Sequence, residues 1–156
     1  MVLSLAQTKS LKDNLFRNRK SQGDFVFNEQ VADVFEDMAI RSIPGYETIV
    51  STIGGFAKKY YRSNSNIYDL GCSLGGVTFE ICKKLGESDF NLVAIDKSEA
   101  MIERLIERKA IVGGLENSVE VVCEDISNTV IENASVVILN FTLQFLPPKY
   151  LSLIHI

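Results

Sequence analysis

Ile67-Tyr68-Asp69-Leu70-Gly71-Cys72-Ser73-Leu74-Gly75-Gly76 reads as a short apolar strand that carries an acid near its end and runs through a glycine-broken turn into a helix. In an open α/β sheet such a turn lies at the carboxyl end of a strand, where ligands bind. Gly71 permits a sharp turn, and Gly75 and Gly76 let the next helix start close to the strand, because a Cβ there would crowd the backbone or a ligand. Asp69 is positioned to orient loop amides or to accept from a cationic ligand. The same turn also serves as a plain strand-to-helix connection, so on its own it leaves both readings open.

Outward from the turn, helix and strand alternate. Upstream, Val31, Phe35 and Met38 recur at helical spacing, Ile43-Pro44-Gly45 breaks the pattern, and a second helix from Tyr46 carries Ile49, Ile53, Phe56 and Tyr60 on one stripe. Downstream, Val77, Ile81 and Leu85 mark a helix packed on the sheet. Asn91 to Ile95 is a near-continuous apolar strand, as buried parallel strands require, and it runs into Asp96. Ser98 caps a helix whose buried face is read as Met101, Ile102, Leu105 and Ile106, with Glu103, Arg104, Glu107 and Arg108 on a solvated face and Gly113-Gly114 as its stop. Strand three is Val119 to Cys123, followed by Glu124-Asp125, and strand four is Val136 to Asn140. This order predicts a doubly wound parallel α/β sheet with right-handed crossovers, of Rossmann-like type.

The polar residues at the strand ends then gather on one rim: Asp69 with the glycine turn, Asp96, Asp125 and Asn140. Asp96 follows Gly71 by about 25 residues, near the spacing at which an acid accepts ribose hydroxyls through its two oxygens. Asp125 is placed to receive an adenine amino group, with the Ile126 amide donating to a ring nitrogen, and Asn140 to meet an amino-acid end. Each acid taken singly also reads as a helix cap or a solvated strand end. The turn departs from G-x-G-x-x-G, since Ser73 stands where a dinucleotide site needs bare backbone against pyrophosphate. A nucleotide-derived ligand without phosphate tolerates that serine, and S-adenosyl-L-methionine is such a ligand.

Composition bounds the remaining classes. With 156 residues, 46% hydrophobic and 23% charged, the chain is long enough for one core. A net charge of −4 argues against a broad nucleic-acid or anionic-membrane surface. The basic run from Lys9 to Lys20 reads as a solvated arm. Cys72, Cys82 and Cys123 lack metal-ligand spacing, and no metal is expected; they fit buried thiols in a reducing cytoplasm. No stretch is apolar enough to span a bilayer and no signal peptide is read, so a cytoplasmic location is expected. Residues 1–22 are expected to be a mobile lead-in and residues 23–150 one domain.

Ile43 to Tyr46, Tyr68 to Gly75, Ile95 to Ser98 and above all Asn133 to Leu146, Asn-Ala-Ser-Val-Val-Ile-Leu-Asn-Phe-Thr-Leu-Gln-Phe-Leu, resemble carboxy-S-adenosyl-L-methionine synthase. The resemblance runs from about Asn14 to Pro148. It implies a class I methyltransferase fold, a homodimer, and conversion of S-adenosyl-L-methionine and prephenate to carboxy-S-adenosyl-L-methionine and phenylpyruvate. Carbon dioxide lost from prephenate would be captured at the deprotonated methyl of the cofactor, in a site that keeps water away. The product would feed an enzyme making the 5-oxyacetyl modification of the tRNA wobble uridine. By position, it implies cofactor contacts at Tyr46, Gly71, Cys72, Ser73, Asp96, Lys97, Asp125, Ile126 and Asn140. Lys97 stands where the family usually has Asn, which leaves the backbone amide in place and puts any side-chain amide contact in doubt. No catalytic residue is assigned, because the arginine that would hold the new carboxylate is expected in a later part of the family's chain.

A complete sheet of that fold has seven strands, whereas here strands one to four are read, followed by Pro147-Pro148. The closing Leu151-Ser152-Leu153-Ile154-His155-Ile156 is the translation of CTG TCT CTT ATA CAC ATC, a transposon-adapter sequence used in DNA library preparation. Residues 151–156 are therefore expected to be non-native, the other reading being a natural helix start, and His155 receives no catalytic role. The expectation is a C-terminally truncated chain with strand four as an open apolar edge, poorly folded and inactive by itself. Three functions stay open: the synthase of the full-length parent, an ordinary S-adenosylmethionine-dependent methyltransferase, and a non-catalytic cofactor-binding remnant.

Overall fold

The computed structural model describes residues 29–32, 34–149 and 151; the lead-in 1–22 and residues 152–156, with His155, lie outside the described residues. A four-stranded sheet is built from β1 (Asn66–Leu70), β2 (Asn91–Asp96), β3 (Val119–Cys123) and β4 (Ala134–Ile138), in the order β3-β2-β1-β4. Every pairing is parallel, with Leu70 beside Ile95, Ile95 beside Val122 and Asp69 beside Ile138. The two central strands read as almost unbroken apolar runs because both of their faces are buried.

Helices α1 (Glu29–Ala32), α2 (Phe35–Ser42) and α3 (Tyr46–Tyr60) precede the sheet, α4 (Gly76–Leu85) links β1 to β2, and α5 (Glu99–Val112) links β2 to β3. The chain therefore winds outward from β1 through β2 to β3 and then returns to the other side of β1 as β4. That reversal creates a crevice beyond the carboxyl ends of β1 and β4, the place where open α/β sheets bind ligands.

One sheet face, through Ile67, Leu92, Ala94 and Val119, packs with Ala57, Val77, Ile81, Leu85, Ile102 and Leu105 of α3, α4 and α5. The opposite face groups Tyr68, Leu70, Val93 and Ile95 with Val122, Ile126 and Leu139. A third cluster joins Val31 and Ala32 to Leu74 of the glycine turn and Met101 of α5, which ties α1 to the rim of the crevice. Among the described residues no helix is long and apolar enough to cross a membrane.

Four details differ from the sequence pattern. The Val31-Phe35-Met38 periodicity spans two short helices, because Val34 turns there and its N–H donates to the Val31 carbonyl three residues back. Helix α3 meets α4 through Gly54 and Ala57, flanked by Val50 and Ile53, while Phe56 and Tyr60 are exposed. Gly54 sets that face, since a Cβ there would lie 2.9 Å from Glu80 Cγ. Ile106 is half exposed because α5 lies at the β3 edge of the sheet, so the flank of its apolar face extends past the last described strand. Strand β4 ends at Ile138, leaving Asn140 beyond the ladder.

The close approach at Gly54 yields a stability prediction. Gly54→Leu is expected to lower the unfolding free energy by about 1–3 kcal/mol through overpacking of α3 on α4, read as a lowered midpoint in chemical denaturation with an unchanged slope.

Candidate functional site

The turn after β1 is pinned to β2 by two bonds to one carbonyl: the N–H groups of Gly71 and Cys72 donate to Ile95 O at 2.8 and 2.9 Å. Gly71 adopts φ +81 and Gly75 φ +80, left-handed values that a side chain would strain. Space is closed there as well, for a Cβ on Gly71 would lie 2.5 Å from Thr142 Oγ1, and one on Gly75 would lie 2.9 Å from the Phe79 ring. These glycines thus leave room for bare backbone at the floor of the crevice.

The two acids of β1 and β2 divide their work differently from the sequence expectation. Asp69 is buried and orients no loop amide; the Thr78 hydroxyl of α4 donates to its Oδ2 at 2.7 Å. Burial, reinforced by the nearby Asp96 charge and opposed by the Thr78 bonds, pushes the Asp69 carboxyl up to about 6. Asp96 is the acid that orients the turn: its Oδ2 accepts from Ser73 N–H at 2.9 Å and its Oδ1 from Ser98 N–H at 2.9 Å. Each Asp96 oxygen retains a second acceptor direction, so ribose hydroxyls would share oxygens already engaged by backbone rather than meet a bare carboxylate. The Ser98 hydroxyl in turn caps α5 by accepting from Met101 N–H at 3.3 Å.

Asp125 sits exposed just past β3, where its Oδ1 accepts the Ser127 N–H at 2.9 Å and the Ser127 hydroxyl at 2.7 Å. Those bonds, aided by the Lys97 charge and opposed by slight burial, hold the Asp125 carboxyl below its usual range. Tyr46 opens α3, and a Cβ on Gly76 would stand 3.1 Å from its hydroxyl. Burial, then Glu36 and Asp69, raise the Tyr46 phenol against the lowering effect of Arg108, so it stays protonated at neutral pH. Cys72 is buried and its thiol is pushed well above the usual range by burial and then by Asp69 and Asp96, which makes it an inert wall; Cys82 is buried too, but Cys123, expected to be buried, is exposed at the end of the edge strand β3.

All these elements surround one cavity of about 420 Å³. Tyr46, Gly71, Cys72, Ser73, Asp96, Lys97, Asp125, Ile126 and Asn140, brought together from five separate segments, all line it. Among the described residues no group of three or more His, Cys, Asp or Glu side chains is arranged to hold a metal.

A family model described as a methyltransferase domain matches residues 67–155, more than half of the chain. The chain belongs to the methyltransferase-domain family. It is 48% identical over 141 residues to a carboxy-S-adenosyl-L-methionine synthase of Psychromonas ingrahamii, an alignment covering 90% of this chain and 58% of that protein. To the protein of the same name from Shewanella pealeana it is 50% identical over 141 residues, with the same two coverages of 90% and 58%. The chain therefore spans less than two thirds of the length of these relatives. Among solved structures, a Methanococcus maripaludis protein assigned as an S-adenosyl-L-methionine-dependent methyltransferase superposes with a TM-score of 0.65 at 20% identity, covering 86% of this chain and 61% of that one. That likeness establishes the fold, a class I methyltransferase α/β sheet.

Within this methyltransferase domain the cavity has further walls that the sequence reading did not assign. Arg108, read as part of a solvated face, instead donates to Leu74 O of the glycine turn at 3.1 Å, pairs with Glu36 of α2 at 3.4 Å, and lies 5.4 Å from the Phe79 ring centroid. The signal was present: position 108 continues the helical stripe of Met101 and Leu105, which faces α1 and the turn. Thr78, fully buried in the first turn of α4, is the partner of Asp69. Phe141 and Thr142 close the cavity beyond β4.

Asp96 links the turn to the start of α5 by accepting the backbone N–H groups of Ser73 and Ser98. Asp96→Ala is expected to cost about 1–3 kcal/mol of stability without any ligand. Asp125→Ala, losing one exposed turn, is expected to change the melting temperature far less, so paired thermal melts separate the two acids.

Proposed function

We propose that the cavity binds S-adenosyl-L-methionine and that the full-length parent of this chain synthesises carboxy-S-adenosyl-L-methionine, the chain by itself being inactive. The observation that carries this reading is the convergence of Tyr46, the Gly71–Ser73 turn, Asp96, Asp125 and Asn140 on one cavity, with a buried carboxylate, Asp69, in its wall. The fit to the ligand is physical. The left-handed glycines make a cradle that a Cβ would fill, the strand-end acids supply acceptors for hydroxyl and amino groups, and no cluster of cations waits for a phosphate. A volume of about 420 Å³ lies within the range of pockets that enclose a small molecule.

When bound, S-adenosyl-L-methionine supplies a sulfonium that activates the adjacent carbon. The residues of this chain hold and orient. Asp96 offers its remaining acceptor directions to the ribose, Asp125 and the Ile126 amide address the adenine edge, Asn140 addresses the amino-acid end, and Asp69 balances positive charge from within the wall. Tyr46, as a protonated phenol, is able to donate to a carboxylate. Leu74, Met38 and Phe145 line the cavity with apolar surface that limits water.

The carboxyl donor is proposed to be prephenate, the working form a homodimer, the location the cytoplasm, and the destination of the product the 5-oxyacetyl modification of the tRNA wobble uridine. The 48% and 50% identities to proteins named carboxy-S-adenosyl-L-methionine synthase support this reading. Nucleic acid is not proposed as a direct partner, given a net charge of −4.

The test has two readouts. Calorimetric titration of the full chain with S-adenosyl-L-methionine is expected to show one site per chain, and absence of binding overturns the cofactor reading. Mass spectrometry after incubation with S-adenosyl-L-methionine and prephenate tests carboxylation. Methyl transfer independent of prephenate favours an ordinary methyltransferase, binding without turnover is the result expected of the chain by itself, and product formed from prephenate overturns its expected inactivity. The locus beyond Tyr150 supplies a further check: a continuation with the remaining strands and a substrate-facing Arg supports the synthase.

A further inference from the structure

We propose that Phe141 is the wall that recognises the sulfonium, its ring face lying against the positively charged sulfur and making the cavity prefer S-adenosyl-L-methionine to the neutral analogue S-adenosyl-L-homocysteine. The inference rests on the S-adenosyl-L-methionine reading above.

Phe141 has φ +56, a left-handed conformation in which a bulky aromatic is an outlier. The other non-glycine residues at positive φ among the described residues are Asn64, Ser73 and Asn133, none of them bulky and two of them asparagine, the type that tolerates it best. Burial does not offset the strain, since Phe141 is 38% exposed and lines the cavity. Strained residues of this kind persist where surrounding contacts over-determine them, and they concentrate at ligand sites. The determining contact here is Thr142, whose hydroxyl donates to Leu70 O at 2.8 Å and clamps the segment to the end of β1.

The position suits the sulfur. Acceptors for the adenosine lie beyond β2 and β3, at Asp96 and Asp125, and Asn140 for the amino-acid end lies beyond β4. The sulfur joins these two portions of the ligand, so it crosses the end of β1 above Gly71. Thr142 packs directly there, 2.5 Å from where a Gly71 Cβ would stand, and Phe141 adjoins it. Asp69 supplies net negative charge from below, while an aromatic face attracts a cation within about 6 Å through its ring quadrupole, an attraction added to the weaker sulfur–aromatic contact that a neutral thioether makes as well.

The test measures affinities of the full chain for S-adenosyl-L-methionine and S-adenosyl-L-homocysteine in the wild type, Phe141→Leu, Phe141→Gly and Phe141→Trp. Glycine relieves the positive φ, so that variant keeps the fold while losing the ring. The ratio of the two affinities is expected to shift against the sulfonium by about threefold to tenfold in the leucine and glycine variants, and to hold in the tryptophan variant. An unchanged ratio in leucine and glycine, equal losses for both ligands, or a tryptophan variant that behaves like leucine overturns the inference and leaves the cofactor reading standing. A wild type that binds neither ligand overturns the cofactor reading itself, and this inference with it.

Discussion

Asp69→Asn is expected to weaken binding of S-adenosyl-L-methionine by about 10- to 100-fold, the loss of one buried opposing charge, and to make the unliganded chain more stable at neutral pH. Both effects follow from one fact. Asp69 is buried, and its carboxyl is raised from 3.8 to about 6, chiefly by burial. A carboxyl raised on folding binds its proton more tightly in the folded state, so the stability it contributes is fully present below pH 3.8 and is lost as pH rises through about 6. Above pH 6 the folded chain holds a charge in a dry wall at a cost of about 1–3 kcal/mol, and asparagine removes that cost.

A bound cation inverts the balance, because it favours the ionised acid. Wild-type affinity should therefore rise with pH up to the raised value of about 6 and level off above it, by up to about tenfold per unit on the acid side. The Asp69→Asn variant should show a flat profile there. Calorimetric titrations at several pH values check this directly; a variant profile as steep as that of the wild type would assign the titration to another group.

Gly71→Ala is expected to destabilise the chain by about 2–4 kcal/mol and to abolish ligand binding. Part of the cost is the backbone at φ +81. The rest is steric: the new Cβ would stand 2.5 Å from Thr142 Oγ1 and 2.6 Å from Thr142 Cγ2. Thr142 does not yield freely, since its hydroxyl is bonded to Leu70 O at 2.8 Å. Shifting it would displace the neighbouring Asn140 and Phe141 from the cavity. A double-mutant cycle with Thr142→Ala separates the two parts, because truncating Thr142 relieves the closest contacts and leaves the backbone strain. Additive losses in thermal unfolding would show that the clash is absent and that only the positive φ matters.

These two positions also show why part of the site is legible in the amino-acid sequence. Gly71 declares itself because a turn that must reverse sharply excludes a side chain, and that requirement is written into adjacent residues. Asp69 and Asp96 are recognisable as acids at the ends of apolar runs. Which of them orients the turn is not legible, since it depends on the direction of the Ser73 N–H, and that follows from the left-handed backbone at Ser73. Arg108 escapes a sequence reading for a related reason. Its neighbours Arg104 and Glu107 pair at 3.0 Å on the surface, so local charge alternation reads as a solvated face. Its own partners, Glu36 and the Leu74 carbonyl, lie 72 and 34 positions away along the chain.

By itself the sequence determined the alternation of strands and helices, the glycine turn and the row of strand-end polar residues, because hydrophobic period and turn chemistry are local properties. Only the tertiary structure decided what those residues became. The return of β4 to the far side of β1 made one cavity from separate strand ends, the packing of α4 buried Asp69 and raised its carboxyl, and the Thr142 clamp held Phe141 in a conformation no local preference would select. Each of these depends on segments meeting across the fold, where burial and close approach set the energy.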